Sequence, residues 1–174
     1  MRMAATALCG ALALWVPGAL AQPAGPTDPQ IAAIVVAANQ VDIDAGKLAK
    51  KKAYDKEVKA FAQQMITDHT GVNKQATVLV KKLKVNPEEN DTSRSLKQGG
   101  DDNLAKLKPL KGVEFDRAYI DHEVAYHQTV IDALDNTLVP NAKNEELKAL
   151  LIKVRPAFVA HLEHAKSLQA KIGN

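Results

Sequence analysis

The sequence contains a single cysteine, Cys9, and only 4% aromatic residues. Cys9 lies in an N-terminal apolar segment that we predict to be removed, so the mature chain would have neither a disulfide nor a thiol nucleophile. The low aromatic content and the many Ala and Leu residues favour helices over sheets. The composition therefore indicates a helical protein that is stabilised by packing alone.

Signatures of several common functions are also missing. No glycine-rich phosphate loop joins a strand to a helix, and no serine lies in an elbow motif. The net charge of +3 comes from 23 basic and 20 acidic residues spread along the chain, without the basic patch and stacking aromatics typical of nucleic-acid binding. We therefore expect no nucleic-acid partner, and we rank enzymatic activity below the two interpretations given below.

The N-terminal segment has the pattern of an export signal. One early Arg precedes an apolar run from Ala4 to Val16, and Ala19-Leu20-Ala21 supplies the small-x-small pattern that signal peptidase recognises. We predict a signal peptide over residues 1–21, a linker over 22–30 and a bundle domain over 31–172. Because the apolar run is too short for a permanent anchor, we expect no stable membrane span after cleavage and a periplasmic or otherwise exported protein.

Hydrophobic residues recur at helical spacing in four long segments. We predict helices over about residues 29–51, 54–84, 113–138 and 144–171, with Asp28 as the N-cap of the first and Pro156 inside the last. The polar segment from 91 to 112 is predicted to be a long crossover with one or two short helical turns. The sequence thus predicts an all-α four-helix bundle with one long connection.

Each predicted helix places one strongly polar side chain within its apolar stripe, on a helical wheel of roughly 100° per residue. These four residues are Asp42, His69, His127 and His161. Asp68 and Glu123 lie on the shoulders of the same faces, whereas His122 falls nearly opposite His127 and is predicted to face solvent. All four central residues fall near the middle of their helices, so they can meet at one level of the bundle.

Two interpretations of these four residues are open. In the first, they bind Zn²⁺, Cu²⁺ or Fe²⁺, and Asp68 and Glu123 accept hydrogen bonds that orient the rings. In the second, they form a buried hydrogen-bonded network without metal, in a structural or stress-related envelope protein. His161 and His164 could alternatively form a weaker surface site. The absence of Glu-x-x-His from the sequence disfavours di-iron carboxylate chemistry.

Three segments carry a resemblance to a known family, and they read "GKLAKKKAYDKEVKAFAQQMITDHT", "FDRAYIDHEVAYHQTVI" and "RPAFVAHLEHAKSL". They resemble the bacterial family catalogued as domain of unknown function 4142, over about residues 30–168. The resemblance implies an exported, ferritin-like four-helix bundle whose recurrent polar positions match His69, His127 and His161. Relatives commonly carry Glu on the first helix, where this chain has Asp42. The family name implies no activity.

Overall fold

The structure is a computed structural model, and it describes residues 25–173. The predicted signal peptide lies outside the described residues. Within this range the chain forms helices and no strands. The helices are α1 (Asp28–Lys52), α2 (Lys56–Leu83), α3 (Asp91–Leu107), α4 (Gly112–Ala133), the short α5 (Val139–Asn141) and α6 (Glu145–Gly173), with a π-helical segment (Leu134–Leu138) between α4 and α5.

The four long helices α1, α2, α4 and α6 form the bundle. Helix α1 packs against α2 and α4 against α6, and contacts between α2 and α6 and between α1 and α4 join the two pairs. Short connections make each pair antiparallel. The predicted fold class, an all-α four-helix bundle, is therefore confirmed. Within residues 25–173, no helix combines the length and the hydrophobicity needed to cross a bilayer.

The crossover differs from the prediction, because α3 is a helix of 17 residues rather than one or two short turns. Asn90 caps it: its Oδ1 accepts from the Ser93 N–H at 2.9 Å, and its own N–H donates to the Ser93 Oγ at 3.0 Å. Farther along, α3 lies close against α1, where a Cβ on Gly100 would come within 2.8 Å of the Val41 Cγ2. Adjacent glycines lower helix propensity and so concealed a helix that tertiary packing stabilises.

Asp28 has a different role from the predicted one. The N-cap of α1 is Thr27, one residue earlier. The Asp28 carboxylate instead accepts from the backbone N–H groups of Lys143 at 2.8 Å and Asn144 at 2.9 Å. The start of α1 is therefore fastened to the connection that precedes α6. Helix α6 continues through Pro156 as a single helix.

The bundle core consists of two apolar clusters with a polar layer between them. The first apolar cluster includes Ile31, Val72, Leu134, Leu151 and Phe158. The second apolar cluster includes Ala49, Phe61, Met65, Phe115 and Leu168. All four bundle helices pass from one cluster to the other, and each contributes polar side chains between them. We call the buried residues Asn39, Asp42, His69, Glu123, His127 and His161 the polar centre.

Candidate metal centre

The structure places the four residues singled out from the sequence beside one another. Asp42 on α1, His69 on α2, His127 on α4 and His161 on α6 are each at most 3% exposed. The three imidazole centroids lie 5.3, 5.4 and 5.6 Å apart. Each ring also has one nitrogen that lies within 4.8 Å of a nitrogen of each of the other two rings, so that three nitrogens form a close group. The Asp42 Oδ2 lies 3.5 Å from the His69 Nε2. The four side chains therefore meet at one level of the bundle.

Two of the three rings are held by neutral acceptors. The His69 Nδ1 lies 2.7 Å from the Oδ1 of Asn39, whose own amide nitrogen donates to the Val35 carbonyl at 2.8 Å. The His127 Nδ1 lies 3.0 Å from the backbone carbonyl of Glu123, one turn earlier on α4. Because both partners accept, each Nδ1 carries the hydrogen, and each Nε2 is left with its lone pair.

The third ring is held by a carboxylate at the protein surface. The His161 Nε2 lies 2.9 Å from the Asp68 Oδ2, and the side chain of Asp68 is 42% exposed whereas that of His161 is 2% exposed. Asp68 thus accepts a hydrogen bond from the buried ring and connects it to solvent. In this ring the Nε2 donates, so the lone pair is on the Nδ1.

The opposite nitrogens of the three rings have no hydrogen-bond partner among residues 25–173. These atoms are the His69 Nε2, the His127 Nε2 and the His161 Nδ1. Burial lowers the pKa of each imidazole; His127 falls to about 4, and the neighbouring rings lower the pKa of His69 further. All three rings are therefore neutral at pH 7, the state in which an imidazole nitrogen can bind a metal ion.

Two buried carboxyl groups lie beside the rings. Oxygens of Asp42 and Glu123 and one nitrogen of His127 lie within 4.8 Å of one another. Burial raises the pKa of Glu123 to about 8, and burial together with the charge of Glu123 raises that of Asp42 well above its usual range. Within the part of the chain that the structure describes, the Asp42 Oδ1 and both Glu123 oxygens lack hydrogen-bond partners.

Glu123 and His122 differ from what the sequence suggests. Glu123 orients His127 through its backbone carbonyl, while its side-chain Oε2 lies 3.4 Å from the same His127 Nδ1 and near Asp42. The prediction that His122 faces solvent holds only in part, because the side chain is half-buried. Its ring stacks on Tyr126 with centroids 5.5 Å apart, and the groove that contains both rings is lined by residues of α3. The surface histidine His164 lies instead against Phe61 and Gln64.

Three further residues of the site were not singled out from the sequence. Asn39 orients His69, and Phe158 stacks on the same ring with centroids 5.1 Å apart. Tyr119 brings a fully buried hydroxyl close to the carboxyl pair. Asn39 lies three residues before Asp42, and Tyr119 lies four before Glu123. That helical spacing was the available signal, since such residues share a face.

The donor set fits a divalent transition-metal ion. Three neutral imidazole nitrogens and a nearby carboxylate are the ligands that Zn²⁺ and Cu²⁺ accept in proteins. Each ring is oriented through its other nitrogen, as metal-binding histidines usually are. Unpaired buried polar atoms each cost about 1–3 kcal/mol, so seven of them in one place constitute an unusual concentration.

The model of the family described as domain of unknown function 4142 (DUF4142) matches residues 16–168, so the chain belongs to this family. No curated protein matches the sequence significantly.

Solved structures of two other proteins share the fold. A presumed secreted protein of Streptomyces coelicolor, DUF305, superimposes with a TM-score of 0.70 at 14% sequence identity, over 83% of this chain and 92% of that one. CopM in its Cu(II)-bound form superimposes with a TM-score of 0.65 at 18% identity, over 84% of this chain and 98% of CopM. At identities this low, the likeness establishes a common fold and leaves the ligands of each protein to be argued separately.

Proposed function

We propose that this member of the DUF4142 family is an exported protein that binds a divalent transition-metal ion in the middle of its bundle. The ligands would be the His69 Nε2, the His127 Nε2 and the His161 Nδ1, with Asp42 completing the set. The observation that carries the proposal is that all three unpartnered nitrogens belong to buried, neutral rings whose other nitrogens are hydrogen-bonded.

The geometry favours this function over a closed hydrogen-bonded network. In such a network the ring nitrogens and the carboxylate oxygens would pair at about 2.8 Å. The shortest approach between Asp42 and a ring nitrogen is instead the 3.5 Å separation from the His69 Nε2. If a metal ion binds these atoms, they are no longer unpaired, and the free-energy cost of burying them without a partner is removed.

Charge balance supports a divalent ion. The three rings are neutral, and Asp42 and Glu123 contribute two negative charges when they ionise. An M²⁺ ion beside two carboxylates gives a net charge of zero in an interior where uncompensated charge is costly. Ionisation of these acids would accompany metal binding, because metal binding displaces protons.

Copper(II) is the first ion to test, followed by zinc(II). Cu²⁺ binds most strongly to nitrogen and oxygen donors among the divalent first-row ions, and an exported protein is not confined to the cytosolic metal supply. The Cu(II)-bound form of CopM supports the choice only in that a protein of similar fold carries this ion. The predicted signal peptide supports export, as does the presumed secretion of the DUF305 protein.

The test is metal retention by the mature protein and by matched histidine variants. Purified protein is loaded with Cu(II) or Zn(II), dialysed against a weak chelator and analysed for bound metal. We expect the wild type to retain metal, and we expect His69→Ala and His127→Ala each to weaken binding by about 100-fold or more, since even residues that merely orient ligands contribute about 10–100-fold. His164→Ala is the control, because this exposed histidine lies on the same helix as His161.

Thermal unfolding provides an independent readout. Metal at about 100 times the wild-type Kd should stabilise the wild type by about 2.7 kcal/mol, and at the same concentration it should stabilise His69→Ala by about 0.4 kcal/mol or less. Failure of the wild type to retain either ion would overturn the proposal, as would equal retention by wild type and His69→Ala. A variant that loses the same stability with and without chelator would indicate a structural network instead.

A further inference from the structure

The polar centre contains two overlapping groups of donor atoms. One group is the nitrogen set of His69, His127 and His161, and the other is formed by Asp42, Glu123 and the shared His127. Asp42 lies between them: its Oδ2 lies 3.5 Å from the His69 Nε2, while its Oδ1 has no hydrogen-bond partner in the described chain. A carboxylate placed in this way can present one oxygen to each group.

The second group is rich in oxygen. Both oxygens of Glu123 and the hydroxyl of Tyr119 are buried and lack hydrogen-bond partners within residues 25–173. Tyr119 precedes Glu123 by one turn of α4, so the two side chains project from the same face. The charges of Glu123 and Asp42 help to raise the pKa of the Tyr119 hydroxyl, after burial, because the phenolate would lie close to both carboxylates.

We propose that Asp42, Glu123 and Tyr119 form a second cation position beside the three histidines, with the Asp42 carboxylate bridging the two positions. This inference rests on the proposed function, because it extends the same metal centre from one ion to two. Carboxylate and hydroxyl oxygens are harder ligands than imidazole, so Mn²⁺ suits the second position better than the first. Two ions that share a carboxylate would lie about 3.5–4 Å apart, as in other two-metal sites.

Charge sets the order of filling. One M²⁺ ion with the carboxylates of Asp42 and Glu123 is electrically neutral, whereas a second M²⁺ ion leaves net positive charge in the buried interior. The second ion therefore binds more weakly than the first. Titration should show a tight equivalent at the histidines followed by a weaker equivalent at the oxygens.

Copper(II) titration followed by electron paramagnetic resonance tests the inference. One equivalent should give the spectrum of an isolated Cu(II) ion with nitrogen ligands. A second equivalent should convert it to the spectrum of a coupled pair, with loss of the isolated signal and a half-field line. Metal analysis after a weak-chelator wash should approach two ions per chain.

Conservative variants assign the second ion to the oxygens. Glu123→Gln and Tyr119→Phe preserve size and packing, and each should weaken the second equivalent by about tenfold or more while the isolated-ion spectrum of the first persists. Asp116→Asn is the matched control, because Asp116 is a buried acid on α4 that bonds to backbone amides away from the centre. Circular dichroism verifies that each variant is folded.

The outcomes separate the inference from the proposed function. A wild-type protein that binds one ion at every Cu(II) concentration, with an unchanged isolated-ion spectrum, would overturn the second position and leave the first standing. A coupled pair that persists unweakened in both Glu123→Gln and Tyr119→Phe would also overturn it. Absence of any retained ion would contradict the proposed function itself.

Discussion

Asp116 and Glu123 are both buried acids on α4, seven residues apart and almost fully removed from solvent. The Asp116 carboxylate accepts from the backbone N–H groups of Tyr54 at 3.0 Å and Asp55 at 2.7 Å. Both side-chain oxygens of Glu123 lack hydrogen-bond partners in the described chain, and a second unpaired carboxyl, that of Asp42, lies beside them. The two acids are therefore equally buried, but Asp116 is fully hydrogen-bonded and Glu123 is not.

From this difference we interpret Asp116 as a structural acid and propose Glu123 as a metal-binding one. Asp116 fastens the α1–α2 connection to α4, where Asp55 in turn caps α2 through the N–H groups of Glu57 and Val58. Its charge is balanced by backbone dipoles, and nothing further is needed. Glu123 lies in the polar centre, where the fold supplies acceptors for the outer sides of the rings but, among residues 25–173, leaves both Glu123 oxygens without a hydrogen bond. The two apolar clusters stabilise the bundle, while the polar centre between them contains the unpaired atoms on which the proposed metal binding rests.

Replacement of the two acids should produce effects of opposite sign, and the largest effect is expected at Asp116. Asp116→Ala leaves two backbone N–H groups without their charged acceptor and should lower the free energy of unfolding by about 3 kcal/mol or more. Glu123→Met replaces an unpaired buried acid by an apolar side chain of similar size, and it should raise the free energy of unfolding of the metal-free protein by about 1–2 kcal/mol. Urea unfolding in the presence of chelator measures both. Similar destabilisation by both variants would remove the distinction between the two acids.

Asn39 extends the comparison to residues that act on the site indirectly. Asn39→Ala removes the acceptor that orients His69, so it should weaken metal binding by about 10–100-fold. Asn103→Ala, which alters a buried asparagine on α3, should leave the affinity unchanged. Competition with a chelator of known affinity provides the measurement. Equal metal affinities for the wild type and Asn39→Ala would mean that the His69 ring does not need the Asn39 hydrogen bond to bind metal.

The pH dependence of the metal-free protein tests the unpaired carboxyls directly. Glu123 has a pKa of about 8 in the folded chain against an ordinary 4.5, so the unfolded chain binds fewer protons between these values and stability falls as the pH rises. His127 has a pKa of about 4 against 6.5, so stability falls as the pH drops through that lower window. Between pH 7.5 and 8.5, where the histidines are neutral in both the folded and the unfolded chain, the carboxyl effect dominates and the wild type should lose roughly 0.5–1 kcal/mol.

In Glu123→Gln, the free energy of unfolding should fall much less over the same pH interval, because the Gln side chain has no proton to release. Urea unfolding at pH 7.5 and pH 8.5, with chelator present, compares the two proteins. Wild-type stability that rises across this interval would contradict the unpaired state of Glu123.

Adjacent glycines of α3 give the smallest expected effects and test how closely α3 is fitted to the polar centre. A Cβ on Gly99 meets nothing within 4 Å, so Gly99→Ala should stabilise the protein by about 0.5–1 kcal/mol through helix propensity. A Cβ on Gly100 would meet Val41, the neighbour of Asp42, so Gly100→Ala should destabilise by about 1 kcal/mol. Thermal unfolding measures the stability of both variants. An equal increase in stability for both would show that α3 can move away from Val41 without cost.

The helical bundle was predictable because it depends on periodic apolar stripes that packing reinforces. The four central residues were predictable for the same reason, since a polar side chain interrupts each stripe at mid-height. The structure shows where the four side chains lie. The predicted domain limits, the signal peptide and the role of the four residues as metal ligands remain predictions.

Other features depend on contacts between elements and could not be read from one helix at a time. Gly100 lets helix α3 lie close against Val41, and residues of the same helix partly cover His122. Asn39 is an ordinary polar residue until His69 is placed against it, and Tyr119 resembles any core aromatic until Glu123 and Asp42 lie near its hydroxyl. Glu123 was assigned to ring orientation, which its backbone carbonyl provides, while its side chain is free to join Asp42.

The most direct test of the central claim is a crystal structure of the mature protein grown with Cu(II), with anomalous diffraction recorded at the copper edge. We predict an anomalous peak in the polar centre, about 2.0–2.1 Å from the His69 Nε2, the His127 Nε2 and the His161 Nδ1. Copper found only on the surface, with these nitrogens paired to oxygens at about 2.8 Å, would contradict the account.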